Sequence, residues 1–557
     1  MHPAPKRLLS LCAVALLIGL LGGGRPARAS TLPYIPLDHW STPLITEAIG
    51  RGLLTGVSLS DLPYQRAAVA RTLKRARAAA DSTQRNWTPF EAWLLERIEV
   101  EVSAGEPAPT PAFSRVASDW LLGYGIETRA EALTGEDQRR FGDADAKGIL
   151  LPYIGFQSGR GLAAGIRFRM DTDGAQVSDF NGRPWRHGWT GDTKNAYALL
   201  QLGKAEVLFG RDDLRWGPSE YSSLLLSSNA PNFDQVGMRV FVGPVTFESI
   251  FTNLDDMTLE NPFPQAPGDT LATGTVVKRH LSAHRLQWQV SPSVAFGVAE
   301  AVVYGGKDRG LEPEYVIPIS IYYAGQWNSD RNDNALLSFT THLRLKQDVE
   351  LYGELLVDDF QFEHKTKGDE EPFEGGFLIG QRLYNPLGLD GSSLRVEFAK
   401  VEPFTYNQSM PWNRYLYKDQ PIGFSLGPDA QAMDIEFRRW ISEQLTWTFL
   451  FRREERGATR VTDPWPVSGS GPDSLNGFPS FDHVPTGVVE RRSRYATDFW
   501  LHPRAGLDLH LGGGYVRVEN IENAKGVNRN EWFVGAALRL NWSRWFSPSE
   551  NRQAMHR

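Results

Sequence analysis

The chain has 557 residues, 59 Lys and Arg against 66 Asp and Glu, and a net charge of −7, which gives no encouragement to nucleic-acid binding. A single cysteine excludes a disulfide framework. With 17 Trp, 17 Tyr, 29 Phe and 53 Gly at a negative mean hydropathy, the composition suits a membrane β-barrel, where only alternate residues face lipid.

In chain order, Lys6 and Arg7 precede an apolar run from Leu8 to Leu21, and Ala27-Arg28-Ala29 is an A-x-A cleavage pattern. Residues 1–29 are therefore expected to be an export signal. The run is too short to span a bilayer comfortably, so a removed signal is preferred to an anchoring helix. Cys12 lies inside the run after Leu11, where a lipid-modified cysteine would follow a small residue. Lipidation is not expected, and the mature chain is left without thiol chemistry. No later stretch is long and apolar enough for a transmembrane helix.

Three short amphipathic helices are expected between Asp38 and Val102. The first presents Leu44, Ile45, Ala48, Ile49 and Leu53, with Pro43 in its first turn and Gly56 beyond its end. The second starts at Pro63 and carries Val69, Leu73 and Ala76 on one face. The third opens with Thr88-Pro89-Phe90-Glu91, a capping box with proline at the first helical position, and carries Leu94, Leu95, Ile98 and Val102. A Pro/Ala-rich linker, Ser103 to Ala112, follows. Asp38-His39-Trp40 with Ile49 and Gly52 to Gly56 is similar to one S-layer-homology repeat. With a single copy, the preferred reading of residues 30–112 is a small helical plug or spacer at the periplasmic mouth of a barrel.

From Trp120 onward the period changes from 3.6 to 2. Leu337, Phe339, Thr341, Leu343 and Leu345 alternate with Ser338, Thr340, His342 and Arg344, giving one apolar and one polar face. Eight short turns are expected near residues 159, 204, 243, 292, 347, 388, 443 and 504. Nine longer connections are expected over 134–148, 171–193, 210–236, 255–274, 305–334, 358–376, 402–433, 453–493 and 519–530. Alternating short and long connections are the outer-membrane rule, and this set joins eighteen strands. The last strand runs from Trp532 to Phe546. The barrel is thus placed at 113–546, with a polar tail at 547–557.

Enzyme motifs are scarce. Gly423-Phe424-Ser425-Leu426-Gly427 matches G-x-S-x-G, but it sits in a Pro/Gly loop without the helix that a nucleophile elbow needs. His280 and His284 share a face of a strand yet stand too far apart to chelate one metal, and no ligand pattern surrounds them. No catalysis, metal or cofactor is expected.

The densest polar constellation is Gly210–Pro218 (GRDDLRWGP) with Leu224–Gln235 (LLLSSNAPNFDQ). Arg211, Asp212, Arg215, Trp216, Asn229, Asp234 and Gln235 supply planar hydrogen bonding and a flat apolar face, the groups that hold a sugar ring. The same residues would serve a loop folded into the lumen, with Arg–Asp pairs keeping its shape. Both readings stay open at this point.

On these two motifs and the start YIPLDHW (Tyr34–Trp40), the chain resembles the Wzi-type capsule-assembly family of outer-membrane lectins over essentially its whole mature length. The resemblance implies an eighteen-stranded barrel with a periplasmic helical bundle, and a role in holding capsular polysaccharide at the cell surface. The strand count follows independently from the turn spacing. The implied partners are capsular or extracellular polysaccharide and outer-membrane lipids, with the helical segment as a candidate contact to the cell envelope or export machinery. A substrate-selective channel is the alternative. The aromatic loops Phe180–Trp189 and Trp465–Phe481 favour surface binding over a bare channel.

Overall fold

A computed structural model of the chain describes residues 32–547 except 84–85, 103–118, 135–145, 173, 175–179, 181, 186–188, 267, 330, 347, 360–372, 466–473, 476–477, 480–482 and 505. The expected export signal, the Pro/Ala linker, the tail beyond Ser547, parts of Phe180–Trp189 and most of Trp465–Phe481 lie outside the described residues.

Eighteen long strands form a closed antiparallel barrel. They are β1 (Trp120–Thr134), β2 (Ala146–Ser158), β3 (Leu162–Asp171), β4 (Thr190–Leu202), β5 (Ala205–Asp212) and β6 (Phe233–Val242). Next come β7 (Val245–Asn253), β8 (Val276–Ser291), β9 (Val294–Gly306), β10 (Asn334–Lys346), β11 (Val349–Asp359) and β12 (Glu374–Tyr384). The wall is completed by β13 (Ser392–Val401), β14 (Ala430–Ser442), β15 (Leu445–Arg456), β16 (Glu490–Arg504), β17 (Leu507–Glu519) and β18 (Arg529–Phe546). Each strand pairs with its sequence neighbour, and β18 closes on β1 from Val534–Thr134 to Phe546–Leu122. Closure leaves no strand edge for another chain to add to. All eight short turns and nine longer connections fall where the alternation placed them, within a few residues.

The period-2 pattern sorts the wall. Leu286, Trp288, Phe296, Phe339, Phe377 and Phe499 are exposed on the outside, forming an apolar band that suits lipid. The alternate residues point inward and meet as cross-strand ion pairs. Glu350 stands 3.3 Å from His342 and 3.6 Å from Arg382, and Arg395 stands 3.1 Å from Glu436. These buried charges are tolerated because each meets an opposite charge on the same inner face.

Three helices, α1 (Thr42–Gly50), α2 (Arg66–Thr83) and α3 (Pro89–Val102), precede the barrel. They bury most of the residues their periodicity singled out, with Ile45, Ala48, Ile49, Leu73, Leu94, Leu95 and Ile98 in one core, while Ala76 is half-buried and the second helix starts at Arg66, three residues after Pro63. The capping box forms reciprocally: Thr88 N–H donates to Glu91 at 3.1 Å, and Glu91 N–H donates to Thr88 Oγ1 at 3.2 Å. This segment docks on the short-turn end of the barrel. Arg51 donates to Asn385 Oδ1 and Ser392 O, both at 2.9 Å, Thr88 donates to Asp390 at 2.8 Å, and Trp93 packs on Trp440 with ring centres 4.4 Å apart. Its leading strand reaches into the lumen. Tyr34 donates its hydroxyl to Glu206 at 2.7 Å, while Asp38 accepts from Arg167 at 2.6 Å and Arg129 at 2.9 Å.

Candidate functional site

Strand β5 brings Arg211 and Asp212 to the long-loop end on opposite faces of the wall. Arg211 shares the outward face with exposed Phe209, and Asp212 shares the inward face with buried Glu206. Asp234 lies directly opposite Arg211 on β6, and the two form a two-pronged pair, Nε to Oδ1 at 2.8 Å and Nη2 to Oδ2 at 2.6 Å.

The following loop, 213–232, turns into the lumen. Arg215 bridges Leu62 of the N-terminal segment through its backbone, and its side chain donates to Glu220 O at 3.2 Å. Trp216 is 2% exposed, with its backbone bridged to Leu226 and the Arg285 guanidinium 5.1 Å from its ring centre. Gly217, at φ +115°, makes the turn that a side chain would obstruct, since a Cβ there would come within 2.9 Å of a Glu354 oxygen.

Glu354 on β11 accepts the N–H groups of Leu224 and Leu225 at 3.0 Å each, and the Ser338 hydroxyl at 3.1 Å. From the other side, Tyr406 and Tyr415 of the 402–429 loop donate to the Leu224 and Leu225 carbonyls at 2.6 and 3.1 Å. Burial pushes both phenols up, so their hydroxyls remain donors. Asn229 donates to Pro421 O at 3.0 Å, tying the two loops together again.

The seven residues read from the sequence therefore do not converge on one open pocket. Arg211 and Asp234 meet on the outer rim. Asp212, Arg215, Trp216 and Gln235 are buried, and Asn229 joins two loops. The arrangement has the geometry of a luminal brace. The G-x-S-x-G stretch, 423–427, runs into strand β14 rather than a helix, and Ser227 donates to Gly423 O at 2.6 Å. His280 and His284 lie on the outer face of β8. No group of three metal-competent side chains occurs among the described residues.

Two further polar cavities escaped the sequence reading. At the long-loop end a cleft of about 540 Å³ is lined by Gln326, Asn332, Asn407, Gln408, Ser409 and Trp465 together with the charged Arg331, Asp333, Asp358 and Glu374. Gln326 and Gln408 both donate to Asp333 O, at 2.8 and 3.2 Å, and Asn332 donates to Ser409 Oγ at 2.6 Å. These bonds fix the amide planes beside an indole, a pairing suited to sugar hydroxyls and a ring face. The cleft draws on three separate loops, of which the sequence singles out only the one that begins at Trp465.

Within the lumen, a cavity of about 430 Å³ lies against β14, β15 and β16, lined by Arg438, Arg452, Arg492, Arg494, Glu436 and Trp500. Arg452 pairs with Asp434 at 2.5 Å, and Arg539 stacks on Trp500 at 4.5 Å. Here the sequence held a signal: of the arginines at alternate positions, Arg494 lies opposite Arg452 and Arg492 lies opposite Glu454.

A family model described as capsule assembly protein Wzi matches residues 146–532. Among solved structures, the Escherichia coli outer membrane protein Wzi, involved in group 1 capsule assembly and described as a carbohydrate-binding β-barrel, is 14% identical with a TM-score of 0.59. That likeness covers 92% of this chain and 99% of the other, and shows a shared fold. Pseudomonas aeruginosa OprD is 10% identical, with a TM-score of 0.40 over 78% of this chain and 98% of its own. No curated protein sequence matches the chain.

Proposed function

Because the chain belongs to the capsule assembly protein Wzi family, we propose that it binds polysaccharide at the cell surface and helps assemble or retain capsule or exopolysaccharide there. The barrel lies in the outer membrane, with short turns toward the periplasm and long loops outside. The observation that carries the proposal is the amide- and indole-lined cleft at the long-loop end, above a lumen occupied by the 213–232 loop. Held amides discriminate sugar hydroxyls because an unmatched hydroxyl leaves polar groups unpaired. Of the motif residues, Arg211 and Asp234 are the two that a glycan at the rim could reach. Asp212, Arg215, Trp216 and Gln235 serve by holding the loop in place. The role is one of binding, and no catalytic step is assigned to it.

A second reading, an anion-selective channel, is favoured by the arginine-lined cavity on β14–β16. The two separate in one experiment. Cells lacking the native protein are given wild type or a Gln408→Ala, Trp465→Ala double variant, and surface-bound polysaccharide is measured beside the conductance of the purified proteins in planar bilayers. Lost retention at unchanged conductance supports the binding role. Unchanged retention with an arginine-dependent conductance favours the channel.

A further inference from the structure

The connection from β9 to β10, residues 307–333, folds over the outside of the barrel. Alternation on β9 fixes the geometry: Phe296 and Val298 are exposed outward, so Glu300, Val302 and Tyr304 of the same row point outward too. Yet these three are almost fully buried, because the connection covers them with two helical turns, α4 (Pro313–Val316) and α5 (Tyr322–Asn328). Glu300 accepts the N–H groups of Tyr322 and Tyr323 at 2.9 and 2.7 Å. His284 stands 3.3 Å from Glu300 with its ring 4.4 Å from that of Tyr322, and Tyr315 packs on Tyr304 at 4.8 Å.

His284 is seven residues from Ser291 at the short turn, or about 18 Å up the wall at the usual rise and tilt of such strands, still within a lipid-facing band about 25 Å tall. An outward row containing His284 and Glu300 would be costly at that depth unless covered and hydrogen-bonded. The covering segment carries no charged residue from Tyr315 to Ser329, while Arg309, Glu312 and Glu314 precede it and Arg331 and Asp333 follow. Its outer side exposes Ile317, Ile319 and Ile321, with Ile319 82% exposed. Beneath its tip, a cavity of about 740 Å³ opens between Pro318, Ile319 and Ile321 and the wall residues Leu286, Val298 and Phe339, with the paired His284 and Glu300 at one side.

We propose that the tip of this connection, Ile317–Ile321, is embedded in the outer leaflet, and that the apolar cavity beneath it holds a lipid acyl chain. The cavity wall continues the row of outward apolar side chains that the rest of the barrel presents to lipid, which is what selects an acyl chain as the occupant. The charged shoulders at Arg309–Glu314 and Arg331–Asp333 set how far the tip can sink, since they stay with the headgroups.

The test labels Ile319→Cys, the single thiol of the mature chain, with a bimane fluorophore and reconstitutes the protein in dioleoylphosphatidylcholine vesicles. Quenching by doxyl-labelled phosphatidylcholine is expected to exceed quenching by aqueous iodide at least threefold, with the order reversed for Asp419→Cys on an outer loop. Native mass spectrometry of the purified protein should show one fewer retained phospholipid for Val298→Trp, which fills the cavity. Iodide quenching of the tip without doxyl quenching would overturn the embedding. An unchanged lipid count in Val298→Trp would overturn the acyl site. A tip protected from both quenchers in a dimeric protein would assign the face to a second copy and overturn the proposal.

Discussion

The carboxylate of Glu354 accepts the backbone N–H of Leu224 at 3.0 Å, across 130 positions of sequence. That bond, with its twin to Leu225, fixes the long 213–232 loop to the inner wall. Tyr406 and Tyr415 hold the same two residues through their carbonyls. Every polar group of the Leu224–Leu225 backbone is thereby satisfied away from water, so the loop can fill the lumen instead of lying over it.

Glu354→Ala leaves two buried N–H groups without their acceptor, at about 1–3 kcal/mol each. The expected outcome is a lower melting temperature together with a raised bilayer conductance, as the loop loosens and the lumen opens. Calorimetry and single-channel recording on the same preparation check both.

Trp216→Ala and Arg211→Ala separate the brace from the rim. Trp216 is buried in the luminal core, so its truncation is expected to cost about 3–5 kcal/mol. The Arg211–Asp234 pair is on the outer rim, with Asp234 largely exposed, and losing it should cost no more than about 1 kcal/mol. Thermal unfolding of the two variants decides the matter. Equal stabilities would mean that Trp216 does not brace the loop.

Acid should release the leading strand from the barrel. Partial desolvation of Asp38 opposes its charge, but Arg167 and Arg129 hold its carboxyl well below the usual carboxylate range. A depressed carboxylate contributes stability that is fully present above its unfolded value, about 3.9, and is lost as pH falls through the folded value. The dock is therefore expected to be insensitive between about pH 5 and 8 and to weaken below about pH 4. In a melting-temperature series against pH, Asp38→Asn should lower the neutral plateau and flatten the acid limb.

The barrel should also be heat-modifiable, since a closed sheet offers detergent no edge to open. Unboiled protein is expected to run faster on a gel than boiled protein.

The barrel itself was legible in the sequence. Alternation in segments such as Leu337–Leu345, with turn residues at regular spacing, determines strand number and face because both are local properties. The capping box at Thr88–Glu91 was legible for the same reason. The brace was not, since Arg215 meets Leu62, Trp216 meets Arg285, and Leu224 meets Glu354 only after the barrel has closed. Residue chemistry at 210–235 fits a sugar site and a packed loop equally well, and the burial of Asp212, Arg215, Trp216 and Gln235 supports the packed loop for those four. The cleft around Asn407 and Trp465 was hidden more deeply, because its side chains come from three loops with no common motif.

Direct titration of the purified protein with polysaccharide from its own cells, by isothermal calorimetry, tests the central claim most directly. The account predicts saturable binding that weakens roughly five- to thirty-fold in Trp465→Ala, the loss of about 1–2 kcal/mol of ring stacking, at an unchanged melting temperature. No measurable binding by the folded wild-type protein would contradict it.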